Sequence, residues 1–416
     1  MESGNWIEYH PLTSMADGSP IEFKISGSGE DCIDFGNSKL YVQAKIVQAN
    51  GANLGAAANT APVNLFLHSL FSQVDIQLNG TLMTSSTNTY PYRAILETLL
   101  SYGEDAKKTQ LTSGLYYKDA AGQMDTVALR AGDDVVLNEG LVKRSQHTNQ
   151  SRVVDMIGRL HADIFLQDRY MLNEVNVKIK LVRSKDAFCV MSEADCRVVI
   201  TKATMFVRKV KLSPSVFLAH AKALENGTAK YPIRRVICKT FTVPNGFRDI
   251  SHEKLFSGQL PTRVVVGRVV SNQAFNGHRE RNPFNFHHFN VSEISLYLDG
   301  QQQEGIKSME LNYVDSHYIR AYNTLFSVTG KICRHEGIGI VGNDYANGYA
   351  LYTFDLTADL GDEENFNLMH QGSVRLVLKF GQALATTVTV VVSAEFENVI
   401  EIDRNRNIIY DFGHDW

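Results

Sequence analysis

Residues 72–80 read Ser-Gln-Val-Asp-Ile-Gln-Leu-Asn-Gly, and residues 292–300 read Ser-Glu-Ile-Ser-Leu-Tyr-Leu-Asp-Gly. Apolar side chains at every second position turn one face of each segment toward a core, and Asn-Gly and Asp-Gly are dipeptides of tight turns. Helical residues follow each copy: Tyr92-Arg93-Ala94 with Thr98-Leu99 after the first, Arg320-Ala321 with Thr324-Leu325 after the second. Later, His161-Ala162-Asp163-Ile164-Phe165 precedes a strand at Val175, and Tyr352-Thr353-Phe354-Asp355-Leu356 precedes a strand at Val374. The order strand, turn, helix, long loop, strand, strand thus occurs twice, and it constrains the chain to two similar β domains.

Length agrees, because 416 residues exceed one ordinary core and suggest two domains of about 200 residues each. Alternation recurs at Leu40-Val42-Ala44-Ile46, at Val175-Val177-Ile179-Leu181 and at Val374-Leu376-Leu378-Phe380, with further extended stretches at Val198–Val210 and Val388–Val392. The 21 Phe and 17 Tyr suit pleated, half-buried surfaces. Many short strands with Gly- and Asn-rich turns predict an all-β chain of two tandem jelly-roll sandwiches with short helices in loops. Three helices are expected. One runs over Pro91–Leu100, and one is capped by Asp315 or Ser316 with Tyr318, Ala321, Tyr322 and Leu325 on a face. The third has Ser213 as N-cap, Pro214 at its first turn and Asn226-Gly227 as its stop. It sits at mid-chain and predicts the division 1–212, connecting helix 213–227, and 228–416 with a C-terminal arm. Residues 112–150 and 271–290 lack periodicity, and loops this long are functional or mobile. Residues 1–18 and 403–416 read as polar arms carrying isolated large side chains.

Catalytic and cofactor chemistry finds little support. Gly337-Ile338-Gly339-Ile340-Val341-Gly342 matches GxGxxG, but no strand-then-helix frame surrounds it. His278, His287 and His288 lack metal-ligand spacing, and Asp133-Asp134 and Asp362-Glu363-Glu364 read as solvated loop charges. Cys32, Cys189, Cys196, Cys238 and Cys333 are odd in number and contain no CxxC, which suits buried thiols in a reducing compartment. No enzyme, cofactor or metal is therefore expected. The 41 basic and 45 acidic residues give a net charge of -4, with no basic arm, so direct sequence-specific nucleic-acid binding is not expected either. The N-terminal residues show no signal-peptide pattern, and assembly inside the cell is the expectation.

Several segments resemble one family closely. Glu8-Tyr9-His10-Pro11-Leu12, Ser19-Pro20-Ile21-Glu22-Phe23, Pro62-Val63-Asn64-Leu65-Phe66-Leu67-His68-Ser69-Leu70-Phe71-Ser72-Gln73-Val74, Ser86–Ala94 and Glu97–Gly103 are similar to the hexon-like major capsid protein of adintoviruses and Polinton (Maverick) elements. The resemblance implies a double jelly roll, a homotrimeric capsomer of pseudo-hexagonal outline, an icosahedral shell, and a penton or other minor capsid protein as partner. It implies residence in the virion, and it places the long loops at the outer face and in trimer contacts. On that basis Phe275, Phe284, Phe286, His287, Phe289, Tyr410 and Trp416 are the expected contact residues. The alternative from the residues alone is a non-capsid β-sandwich that binds carbohydrate or protein.

Overall fold

A computed structural model describes residues 1–15, 18–27, 29–131, 135–302, 308–357 and 368–410, the side chains of 270–272 excepted. Besides a short pair, Thr60–Pro62 with Val190–Ser192, the first repeat forms β1 (Ser3–Tyr9), β2 (Ile21–Ile25), β3 (Asp31–Gln48), β4 (Phe71–Leu78), β5 (Thr81–Leu82), β6 (Val154–Gly158), β7 (Val177–Arg183) and β8 (Cys196–Lys211). They pair antiparallel in the orders β1-β8-β3-β6 and β2-β7-β4-β5. The second repeat forms β9 (Ala229–Val243), β10 (Asp249–Gln259), β11 (Arg263–Val270), β12 (Val291–Leu298), β13 (Met309–Glu310), β14 (Tyr352–Asp355), β15 (Gln371–Phe380) and β16 (Val388–Ile402). Its orders, β9-β16-β11-β14 and β10-β15-β12-β13, are those of the first repeat with eight added to every number. Two facing four-stranded sheets wound this way make a jelly roll, and the chain carries two.

The sequence explains the pairing locally. Val177, Ile179 and Leu181 of β7 are fully buried, as are Ile76 and Leu78 of β4, while their neighbours are less buried. Asn79 and Gly80 have φ of 46° and 88°, and Asp299 and Gly300 have 51° and 77°. Two successive positive φ values suit the right-handed twist of a two-residue hairpin, and Asn, Asp and Gly tolerate them best. The same turn therefore closes the same hairpin in both repeats. The buried apolar side chains form one contiguous core through both sandwiches.

Four helices of ten or more residues decorate the strands among the described residues: α1 (Tyr90–Ser101), α2 (Glu139–Thr148), α3 (Pro214–Asn226) and α4 (Ile319–Val328). α2 lies in the stretch expected to lack structure. The side chain of Asn138 accepts the Leu141 N–H at its start, and Leu141, Arg144, Ser145 and Thr148 bury one face. α4 begins after Tyr318, and not at Asp315 or Ser316, because Ser316 adopts a φ of 60°. α3 connects the jelly rolls and buries only Leu224; it ends in an extended Gly227, where a left-handed one is commoner.

Three further expectations need correction. The counterpart of Tyr352–Asp355 is Val154–Gly158, since both are sixth strands at the edge of equivalent sheets, whereas Asp163–Phe165 is a 3-10 turn. Residues 3–9 are no arm but an edge strand on β8. The C-terminal residues as far as 410 also dock on the chain: Ile408–Ile409 pairs with β16, and Arg406 donates to the main-chain and side-chain oxygens of Asn173 at 2.9 Å each.

Candidate assembly interface

The jelly rolls meet along a seam built on α1. Arg93 and Glu97 lie one helical turn apart and pair at 2.7 Å. Arg93 also reaches Asp163 at 2.6 Å, and His161 Nδ1 lies 2.6 Å from the second oxygen of Glu97. Asp163 in turn accepts the Val236 N–H of β9 at 3.2 Å, so the cluster of one jelly roll grips a strand of the other. Burial alone would raise Glu97, but Arg93 and His161 outweigh it and hold the carboxyl at about 2. Burial raises Asp163 in spite of the same Arg93. His68 lies edge-on to His161 and 2.8 Å from the Tyr90 hydroxyl; burial first, and His161 second, push it well below the usual histidine range. It is neutral at pH 7.

The second part of the seam is aromatic. The β11–β12 loop carries Phe275, which stacks on Tyr92 at 5.5 Å, and Phe284, which meets the same ring edge-on at 5.9 Å. Phe188 of the first jelly roll packs against Phe284 at 6.1 Å. Edge-on and offset contacts of this kind exploit the ring quadrupole beyond plain burial. Polar bonds frame the plug. Asn282 donates its N–H to Asp125 at 2.8 Å and its side-chain amide to Asp119 at 3.2 Å. The other Asp119 oxygen takes the fully buried Arg144 at 2.6 Å. Lys107 donates to the carbonyls of Leu99 and Ile338 at 2.7 and 2.6 Å, one in each jelly roll. Its ammonium is held near 7 by burial first, then by Lys331 and Lys118.

The expected contact residues divide on this frame. Phe284 and Phe286 are buried within the chain, at 4% and 0% exposure. Phe284 is covered by Tyr92 and Phe188 of the other jelly roll, and Phe286 packs on Gly267 and bonds to Gly348 within its own. Phe275 is half-buried against Tyr92. His287 and Phe289 are half-buried and meet at 5.4 Å, and burial lowers His287. Tyr410 is half-buried against the core. Trp416 lies outside the described residues, as do Asp133-Asp134 and Asp362-Glu363-Glu364. His278 is exposed, and His288 stacks on Tyr313 at 4.0 Å with its pKa lowered to about 4 by burial and by Arg268. Among the described residues, no three His, Cys, Asp or Glu side chains gather as for a metal. The GxGxxG segment leads into a short helix, Gly342–Ala346, whose Asp344 pairs with Lys118 across the seam.

Sequence reasoning missed the ionic cluster. The i,i+4 spacing of Arg93 and Glu97 was legible, but nothing local announces Asp163, His161 or Val236 as their partners. Beside the cluster a cleft of about 1390 Å³ opens between the jelly rolls, lined among others by Glu97, His161, Arg159, Arg263 and Glu395. Both Glu97 oxygens are engaged by Arg93 and His161, and Glu395 lies 3.8 Å from Arg263. Each carboxylate pairs within its own jelly roll, Glu97 in the first and Glu395 in the second.

No family model matches the chain. An uncharacterized protein of Caenorhabditis elegans is 23% identical over 430 residues, covering 99% of this chain and 98% of its own length. A chain of the Sputnik virophage structure superposes with a TM-score of 0.66 at 12% identity, covering 100% of this chain and 89% of that one. The mavirus major capsid protein superposes with a TM-score of 0.56 at 14% identity, covering 98% of this chain and 90% of its own. Strand order and full-length superposition agree that the chain has the double jelly-roll fold found in viral major capsid proteins.

Proposed function

We propose that this chain is the major capsid protein of an icosahedral DNA virus, that three copies form a capsomer of pseudo-hexagonal outline, and that capsomers tile the shell. The observation that carries the reading is the doubled sandwich: two jelly rolls of identical strand order, joined side by side by a buried seam. Three such chains around an axis supply six near-equivalent modules from one gene product, and closed symmetry covers edges that a monomer exposes. Full-length likeness to the mavirus major capsid protein supports it. The finer lineage we assign is that of adintoviruses and Polinton elements, on the motifs at 62–74 and 86–103. A full-length nematode relative fits a gene carried in animal genomes. A penton or other minor capsid protein is the further partner, and the virion is the destination. Of the aromatic loop, His287 and Phe289 keep accessible edges and stay in the proposed contact surface.

Light scattering on a sizing column tests the reading. The expected species has three times the 46.5 kDa of one chain, with hexagonal outlines in negative stain. A monomer at high concentration would overturn the capsomer and leave a β-sandwich binding module as the better account.

A further inference from the structure

A second cavity, of about 460 Å³, opens where the first jelly roll meets Gly339 and Asp344 of the second. Its volume falls in the range of small-molecule sites. Four lysines line it: Lys107, Lys108, Lys118 and Lys143. Two of these are neutralised by carboxylates of the same cavity. Lys108 pairs with Glu104 at 2.6 Å, and Lys118 pairs with Asp344 at 2.5 Å. Asp119, also in the wall, is already taken by Arg144. Lys143 is exposed and has Glu139 one turn before it on α2.

That leaves Lys107. It is 6% exposed, and its ammonium meets the carbonyl oxygens of Leu99 and Ile338 but no carboxylate among the described residues. An ammonium carries three protons, so two carbonyls leave one donor unused. Burial first, then Lys331 and Lys118, bring the group down to about 7, and Glu104 offsets them least. A buried charge whose partners are all neutral costs free energy, which a bound counter-ion recovers.

The GxGxxG segment forms the far wall with a polarity opposite to that of a phosphate-cradling loop. Its Ile338 and Gly339 carbonyls accept from Lys107 and Lys118 at 2.6 Å each, whereas a phosphate loop offers amides. The loop therefore holds lysines, and the lysines are what an anion can meet.

We propose that this cavity binds one small oxyanion, of the phosphate or sulfate class, on the Lys107 ammonium, with Lys143 at its mouth. Walls from both jelly rolls surround the anion, so it braces the seam, and it stabilises the folded chain because the unfolded chain lacks the site. The site belongs to a single chain and goes beyond the capsomer reading.

Equilibrium dialysis of the full chain against radiolabelled sulfate, with chloride holding the ionic strength constant, tests the site. Sulfate keeps its charge between pH 6 and pH 8, so any change over that range comes from the protein. The expected result is saturable uptake of one sulfate per chain, lost in Lys107→Met. Lys143→Gln should raise the half-saturating concentration about threefold, the scale of an exposed ion pair. Where Lys107→Met fails to fold, pH reads the same residue. His147→Gln first removes the imidazole bonded to the Tyr117 hydroxyl at the cavity. In that background the half-saturating concentration should rise about tenfold from pH 6 to pH 8, as the charged fraction of Lys107 falls. Uptake that never saturates, uptake unchanged in Lys107→Met, or a half-saturation indifferent to pH overturns the site.

Discussion

Replacing Glu97 by glutamine keeps the shape of the side chain and removes the charge that ties Arg93 to His161 at the seam. The carboxyl titrates at about 2 in the folded chain against 4.5 for the free group. A depressed folded pKa stabilises the fold above the unfolded value, and that contribution is lost as pH falls through the folded value. The difference of about 2.5 units at 1.36 kcal/mol per unit gives about 3 kcal/mol at pH 7. At pH 3 the unfolded chain already holds the proton, and about 1 kcal/mol remains. Asp163 works in the opposite direction: burial raises it, so its contribution is present below the unfolded value of 3.8 and lost as pH rises through the folded value. It is common to both proteins and cancels in their difference to the extent that Arg93 keeps its place. Urea midpoints of wild type and Glu97→Gln, at pH 7 and at pH 3, measure the effect. A loss of equal size at both pH values would refute the electrostatic account, since only a packing defect is indifferent to the proton.

Two further substitutions test the packing. The Tyr92 hydroxyl is buried without a hydrogen-bond partner, so Tyr92→Phe should leave stability unchanged or raise it by about 1 kcal/mol, while Tyr92→Ala should cost about 3–5 kcal/mol. Equal losses in urea unfolding would show that the hydroxyl, and not the ring, matters. Arg268 is fully buried, lies 4.5 Å from the Tyr352 ring, and offers three guanidinium nitrogens with no hydrogen-bond partner. Arg268→Met should therefore raise the urea midpoint, by about 1–4 kcal/mol in stability, and a marked loss would mean that the cation–π contact outweighs the desolvation of the charge.

Much of the fold could be read locally. Alternation placed Val177, Ile179 and Leu181 on a core face, and Asn79-Gly80 and Asp299-Gly300 marked two equivalent hairpins, because side-chain period and positive φ are properties of a few consecutive residues. β1, β9, β10 and β11 were not legible as strands. β1 has no fully buried residue, and Val264 to Val269 of β11 are buried on both faces, so neither has the one-face-buried pattern that alternation detects. α2 was missed for a related reason: its inward face carries Arg144, Ser145 and Thr148, and polar residues hide a helix from any search for apolar periodicity.

By itself the sequence determined that the chain holds two similar β-sandwiches with a helix between them. Repetition, alternation and turn chemistry are written along the chain and need no distant contact. Only the tertiary structure decided which aromatic residues close the seam between the jelly rolls. Phe284 and Ile319 are both large apolar side chains beside a repeat, yet one is buried and the other exposed. What separates them is the docking of one jelly roll on the other, which covers α1 and leaves α4 open, and burial of that kind depends on residues about two hundred positions away.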